Sequence, residues 1–227
     1  MNHVMGLALT LATLAAIPYA ALAQGDPPQV STDGLQLVDK DRRGEIYADP
    51  DVDWSVYDKI KLDPATVAFR KNWQRDQNRS RPFKIQTEDM ERIKSDMSKL
   101  FDEVFTEELS ENGDFVITDE TGDDVMRISP HIVDLDVYAP DVKSSPARVD
   151  SYTESAGRMT LQLEIYDSLT GDLLAKASDR KEAPRRGYMQ WTTSVTNRAE
   201  ARRMLQGWAK ELRTRLEEAS KKSPGDS

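Results

Sequence analysis

The stretch that most constrains the fold runs from Gly157 to Asp179. Met159, Leu161, Leu163 and Ile165 alternate with Thr160, Gln162, Glu164 and Tyr166, the period-two pattern of a strand with one buried and one solvated face. Ser168 to Gly171 then supplies turn chemistry, with Gly171 free to take a positive φ. The segment reads as a β-hairpin, and the rest of the chain must cover the apolar face it presents.

Two helical patterns can provide that cover. Thr87 is a capping residue, with Glu88 and Asp89 placed where the helix dipole favours negative charge. Met90, Ile93, Met97, Leu100, Val104 and Phe105 then recur at spacings of three and four, and Gly113 marks the end of a helix of about seven turns. Its expected solvent face is acidic, with Glu91, Asp96, Asp102, Glu103, Glu107, Glu108 and Glu111. The second helix opens on Asn197-Arg198-Ala199-Glu200, in the manner of a capping box. Ala201, Met204, Leu205, Trp208, Leu212 and Leu216 form its apolar stripe, and Arg202, Arg203, Lys210, Arg213 and Arg215 make much of the remainder basic.

Further strands are expected over Tyr57–Leu62 with Thr66–Phe69, bent at Pro64, and over Phe115–Ile117 and Val125–Val137, the last bulged at Ser129-Pro130. The expected architecture is α+β: a largely antiparallel sheet of about five strands with two amphipathic helices on one face, in the order β-α-β-β-β-β-α. Its parts are a signal peptide at 1–23, an extended N-terminal arm at 24–53, one α+β domain at 54–220 and a disordered tail at 221–227. Tyr138 to Ala156 reads as a long exposed loop, rich in Ser and Asp and interrupted by Pro140 and Pro146.

The signal-peptide expectation rests on an apolar run from Val4 to Ile17, then Pro18 and Ala21-Leu22-Ala23 ahead of Gln24. The run is too short to span a bilayer and precedes a small-x-small cleavage pattern, which predicts export, periplasmic or secreted, with the mature chain starting at Gln24. Without cysteine there is no disulfide, no thiolate nucleophile, no cysteine zinc site and no lipid anchor of the lipoprotein kind. No later segment is apolar enough to cross a membrane. The net charge of −9 argues against nucleic acid, whose phosphates demand a basic footprint.

Residues along both the hairpin and the last helix resemble the bacterial family catalogued as domain of unknown function 3313. The likeness is carried by Asp33-Gly34-Leu35, by Tyr57-Asp58-Lys59-Ile60-Lys61-Leu62-Asp63-Pro64, by Tyr166 to Ala175 and by Trp208 to Leu216. It implies an exported envelope protein, often a lipoprotein. The missing cysteine departs from that anchoring, and the resemblance supplies no catalytic residue.

Candidate chemistry is sparse. His131 is the one histidine left once His3 departs with the signal, so a multi-histidine metal centre is excluded, and its strand parity with Val133 and Leu135 points to a structural role. Asp134 and Asp136, two apart on one strand, would set their carboxyl groups about 6 to 7 Å apart on one face, the spacing of a glycosidase pair. The acidic run Asp119 to Asp124 lacks the glycine and terminal glutamate positions of a calcium loop. No metal or other cofactor is expected.

Two basic, aromatic-bearing connections remain: Arg70, Lys71, Trp73, Arg75, Arg79 and Arg81 in one, Arg185, Arg186, Tyr188 and Trp191 in the other, with Arg180 and Lys181 at its start. Guanidinium groups bind phosphate or carboxylate bidentately, and loops are where scaffolds carry function. The expected function is thus a non-enzymatic binding or assembly-accessory domain taking an anionic envelope polymer or an acidic protein partner. The alternative is a hydrolase of envelope polysaccharide acting through Asp134 and Asp136. Oligomeric state is left open.

Overall fold

A computed structural model of the protein describes residues 26–79, 83–137, 151–153, 157–183, 190–192 and 194–221. The expected signal peptide and most of the expected tail lie outside these residues.

The hairpin forms as its alternation requires. Strand β8 (Gly157–Asp167) pairs antiparallel with β9 (Leu173–Glu182), and Gly171 in the connection has φ +78°. Asp167 builds the turn, accepting hydrogen bonds from the Leu169 and Thr170 amides at 2.8 and 2.7 Å. Met159, Leu161, Leu163 and Ile165 are all buried, so the apolar face of β8 is fully covered.

Around the hairpin the sheet has eight strands, in the order β1–β2–β9–β8–β6–β3–β5 with β4 also on β6. Here β1 is Gln36–Lys40, β2 Gly44–Ala48, β3 Lys59–Leu62, β4 Thr66–Phe69, β5 Val116–Ile117 and β6 Val125–Val137. Pro64 falls in the gap between β3 and β4, which continue each other along β6 as one bent path. Three helices accompany the sheet: α1 (Trp73–Arg79), α2 (Thr87–Thr106) and α3 (Ser194–Ser220). A separate ribbon pairs β7 (Ser151–Thr153) with β10 (Gln190–Thr192).

Several expectations are corrected. The sheet is mixed, because the α2 crossover returns the chain parallel to its start, and β3–β5, β3–β6 and β4–β6 all run parallel. The stretch read as an extended arm folds into the β1–β2 hairpin, which extends the sheet through β2–β9 pairing. Gly44 makes that possible, since a Cβ there would stand 1.8 Å from the Ser178 carbonyl oxygen. Strand β7 lies within the expected long loop, and β9 reaches Glu182, so Arg180 and Lys181 are strand residues. The N-cap of α2 is Gln86, whose backbone N–H donates to Asp89 at 3.1 Å, and Thr87 is already helical. Helix α2 passes into a π-helical turn (Glu107–Glu111) before Gly113, and α3 begins at Ser194 rather than Asn197.

The core lies between the sheet and the two long helices. Phe101, Phe105 and Leu109 of the α2 arm, Leu205 and Trp208 of α3, and Ile60, Met126, Ile128 and Ile132 of the sheet belong to one cluster. Burying each large side chain contributes about 1.5–3 kcal/mol before the cost of ordering it. Part of the acidic side of α2 faces α3 rather than solvent: Glu103 pairs with Arg198 and Arg202, and Glu108 accepts from Arg213 Nε at 3.0 Å. The acidic and basic helix surfaces thus meet at one seam.

Candidate functional site

In the basic segment around α1, two of the candidate binding residues, Trp73 and Arg70, make internal contacts. Trp73 is buried, stacked on Phe69 with ring centroids 4.1 Å apart, and donates its indole N–H to the Val137 carbonyl at 3.2 Å. Arg70 donates Nε to Asp136 and Nη1 to Asp76, both at 2.9 Å. Arg158 reaches the same Asp136 oxygen at 3.1 Å, so one carboxylate, 1% exposed, is held by two guanidinium groups. Lys71, Arg75 and Arg79 lie exposed, and Arg75 leans on Asp76 at 3.5 Å. Arg81, Arg185, Arg186 and Tyr188 lie outside the described residues, and Trp191 is placed only as a member of β10.

The two expected carboxylates lie in different settings, Asp136 buried and Asp134 exposed. Asp134 has φ +51° and begins a bulge, since Val133 pairs with Thr160 and Asp136 with Arg158, leaving two β6 residues opposite one of β8. The bulge sits here rather than at Ser129-Pro130, where the ladder is regular. It returns Asp136 to the face of Val133, away from the helices, and leaves Asp134 exposed. On that same face His131 Nδ1 lies 2.7 Å from Thr66 Oγ1, and Tyr166 donates to Glu164 at 2.7 Å. Burial and the Glu164 carboxylate push the Tyr166 phenol up to about 12. Among the described residues, no three His, Asp or Glu side chains are placed to hold a metal ion.

The concave chemistry lies beneath the first half of α3. Ala175, Ala177, Asp179 and Lys181 of β9 oppose Ile165, Leu163, Leu161 and Met159 of β8, so this row faces the helices. The small alanines let α3 sit close to the sheet. Trp208 then donates its indole N–H to Asp179 at 2.7 Å, while Arg43 Nε stands 4.0 Å from the other Asp179 oxygen. Lys181 comes next in the row. Its Nζ sits 4.9 Å from the Trp208 ring centroid, and α3 passes at Gly207, where a Cβ would stand 2.9 Å from that Nζ.

Lys181 is partly buried, and its ammonium makes no hydrogen bond or ion pair among the described residues. Burial pulls its ammonium below the ordinary lysine value, opposed by the charges of Asp179 and Glu211 and reinforced by Arg43. It lines a cavity of about 300 Å³ with Arg43, Arg180 and Arg203, whose acidic members are Glu182 and Glu200. Arg203 is bound to Glu200 through both carboxylate oxygens at 3.0 Å. A second cavity of about 200 Å³ opens on the other side of α3; its apolar lining includes Ile93, Met97, Leu100, Leu135, Met159 and Met204, and charged residues including Arg92, Asp96, Arg158, Arg198 and Glu200 also line it. Glu200 and Met204 border both.

Sequence reading had noted Arg180 and Lys181 at the head of a basic segment but missed Arg43, Arg203 and Trp208 as their neighbours. The available signal was parity: Lys181 shares the apolar row of β9, an unusual place for an ammonium. No described helix is long and apolar enough to cross a membrane.

Similarity to solved structures extends to the PelC dodecamer from Paraburkholderia phytofirmans, at 10% identity over 75% of this chain and 97% of that one, with a TM-score of 0.39. A Xanthomonas campestris protein of the DUF330 family matches at 10% identity over 70% and 83% of the two chains, TM-score 0.39. A DUF4136 family protein from Bacteroides thetaiotaomicron matches at 11% identity over 78% and 98%, TM-score 0.33. The search of curated proteins finds no match. The family model described as "Protein of unknown function (DUF3313)" matches residues 29–212, and the chain belongs to that family.

Proposed function

We propose that this chain is an exported, non-enzymatic binding or assembly-accessory domain of the bacterial envelope, and that it takes an anionic group at the Lys181 cavity. One observation carries the reading. An ammonium is partly withdrawn from water with no carboxylate within ion-pair distance, in a cavity that Arg43, Arg180 and Arg203 also line. Desolvating a charge is costly unless a counter-charge arrives, and a bound anion would supply one. The apolar run and Ala21-Leu22-Ala23 before Gln24 support export. With Asp136 buried and ion-paired to Arg70 and Arg158 while Asp134 is exposed, the setting of these two carboxylates does not support the hydrolase alternative.

The test is co-sedimentation of the chain from Gln24 to Ser227 with isolated envelope fractions at low and high salt. The wild type should bind, less at high salt, and Lys181→Met should reduce binding at least tenfold. Arg75→Ser with Arg79→Ser on α1 should leave it unchanged. Binding that ignores Lys181 but falls with the α1 pair would move the site to α1; no binding to any fraction would overturn the reading.

A further inference from the structure

The two cavities beneath α3 differ in chemistry and share a wall. Met159 lines the apolar one and Lys181 the cationic one, and these residues are direct cross-strand partners on β8 and β9. Partners in an antiparallel ladder have Cα atoms about 4.5 to 5.5 Å apart. Met204, one turn after Glu200 on α3, borders both spaces from above. Hydrocarbon-lined space therefore begins within one strand spacing of the Lys181 backbone.

Each cavity alone leaves something unexplained. A free inorganic anion would satisfy Lys181 yet make no use of the cleft walled by Met97, Leu100, Leu135, Met159 and Met204. An uncharged apolar ligand would occupy the cleft and leave the ammonium unmet. Three of the cleft residues are methionines, whose unbranched thioethers adapt to chains of varied shape. By volume the cleft accommodates about six water-sized groups, the scale of a short run of methylenes.

From this adjacency, and resting on the anion site proposed above, we infer that the ligand is a monomeric single-chain anionic amphiphile: its phosphate or carboxylate meets Lys181, and its first methylenes lie in the cleft beside Met159. The charge on one side and the apolar walls on the other are what recognise it.

Calorimetric titration with inorganic phosphate and then with n-alkyl phosphates of increasing length, all below their micelle concentrations, tests this. Phosphate alone should bind weakly and lose affinity with salt. Affinity should then rise about fourfold per added methylene, levelling off once the cleft is filled. Lys181→Met should lower affinity for every member of the series by a similar factor of at least ten. Ile93→Trp, which fills the cleft from α2, should flatten the chain-length dependence while leaving inorganic phosphate unchanged.

An uncharged alkyl glycoside of matched length should bind at least tenfold more weakly than the alkyl phosphate. Equal binding would overturn the inference. A series flat in chain length with phosphate still bound would also overturn it and leave the anion site standing. Loss of all phosphate and alkyl phosphate binding would remove both. Binding to anionic lipid vesicles without binding to the monomers would show that the cavities take a membrane surface, against the inference.

Discussion

Two arginine-rich regions flank the end of the sheet where β6 and β8 meet, and they treat charge in opposite ways. At one, Asp136 is enclosed with Arg70 and Arg158 on one of its oxygens, and Asp76 takes the second arm of Arg70. At the other, Lys181 stands partly buried with an indole face beneath it and no carboxylate in contact. The first arrangement joins strands β6 and β8 to the start of α1. The second sets a cation over the Trp208 ring with no carboxylate within ion-pair distance. A buried charge with partners is a joint; one without partners is a candidate for recognition.

The largest effect should come from breaking the joint. Asp136→Ala removes the one carboxylate between two guanidinium groups, leaving Arg158 without it and Arg70 with Asp76 alone. Loss of about 3–5 kcal/mol is expected, read as a lower urea midpoint at unchanged slope. A cost below about 1 kcal/mol, the scale of an exposed pair, would show that the cluster is no joint.

Arg213 sharpens the comparison at intermediate size. It lies at the helix seam, largely buried between Glu108 at 3.0 Å and Glu217 at 2.9 Å. Arg213→Met should cost about 1–3 kcal/mol, the penalty for leaving acceptors unsatisfied. Lys181→Met should fall far below both. It ends the desolvation of an unpaired ammonium and forfeits a cation–π contact of about 0.5–1 kcal/mol, two terms of opposite sign. A Lys181→Met cost comparable to that of Asp136→Ala would put Lys181 among the joints and end its claim as a site.

Which charges pair was the part of this molecule least legible in its residues. Periodicity carried the local elements: the β8–β9 hairpin, the bend at Pro64 and the apolar stripes of α2 and α3 depend on neighbours in sequence. The parallel pairing of β3 with β6 was not legible, because it depends on where α2 returns the chain. Nor was the bulge at Asp134, a single αL residue that moves Asp136 from the face its spacing predicts to the opposite one. That one backbone choice converts an apparent catalytic pair into an ion-pair joint. The cation cavity draws on β9, α3 and the end of the β1–β2 hairpin, so no single stretch could display it. Only Lys181, charged within an apolar row, carried a local trace.

The smallest effect separates the two regions along pH. Burial, then the Asp167 carboxylate, pushes the Tyr57 phenol up to about 12, and Tyr166 is raised to about the same value. For both, the fold favours the protonated form. Their contribution is complete below the unfolded value near 10 and is lost as pH rises towards about 12. Lys181 has the opposite sign: burial lowers it beneath 10.5, so the unfolded chain holds that proton more tightly and stability increases as pH climbs towards 10.5. Anion binding should therefore fade first, at a lower pH than an ordinary lysine would set, while the fold is still gaining stability. Unfolding should follow at higher pH, accompanied by the last tyrosinate absorbance. In Lys181→Met the early rise in stability should vanish and the later loss should remain. Stability curves that coincide for the two proteins across this range would mean that Lys181 titrates as a solvated surface lysine, and the contrast between joint and site would fail at its central residue.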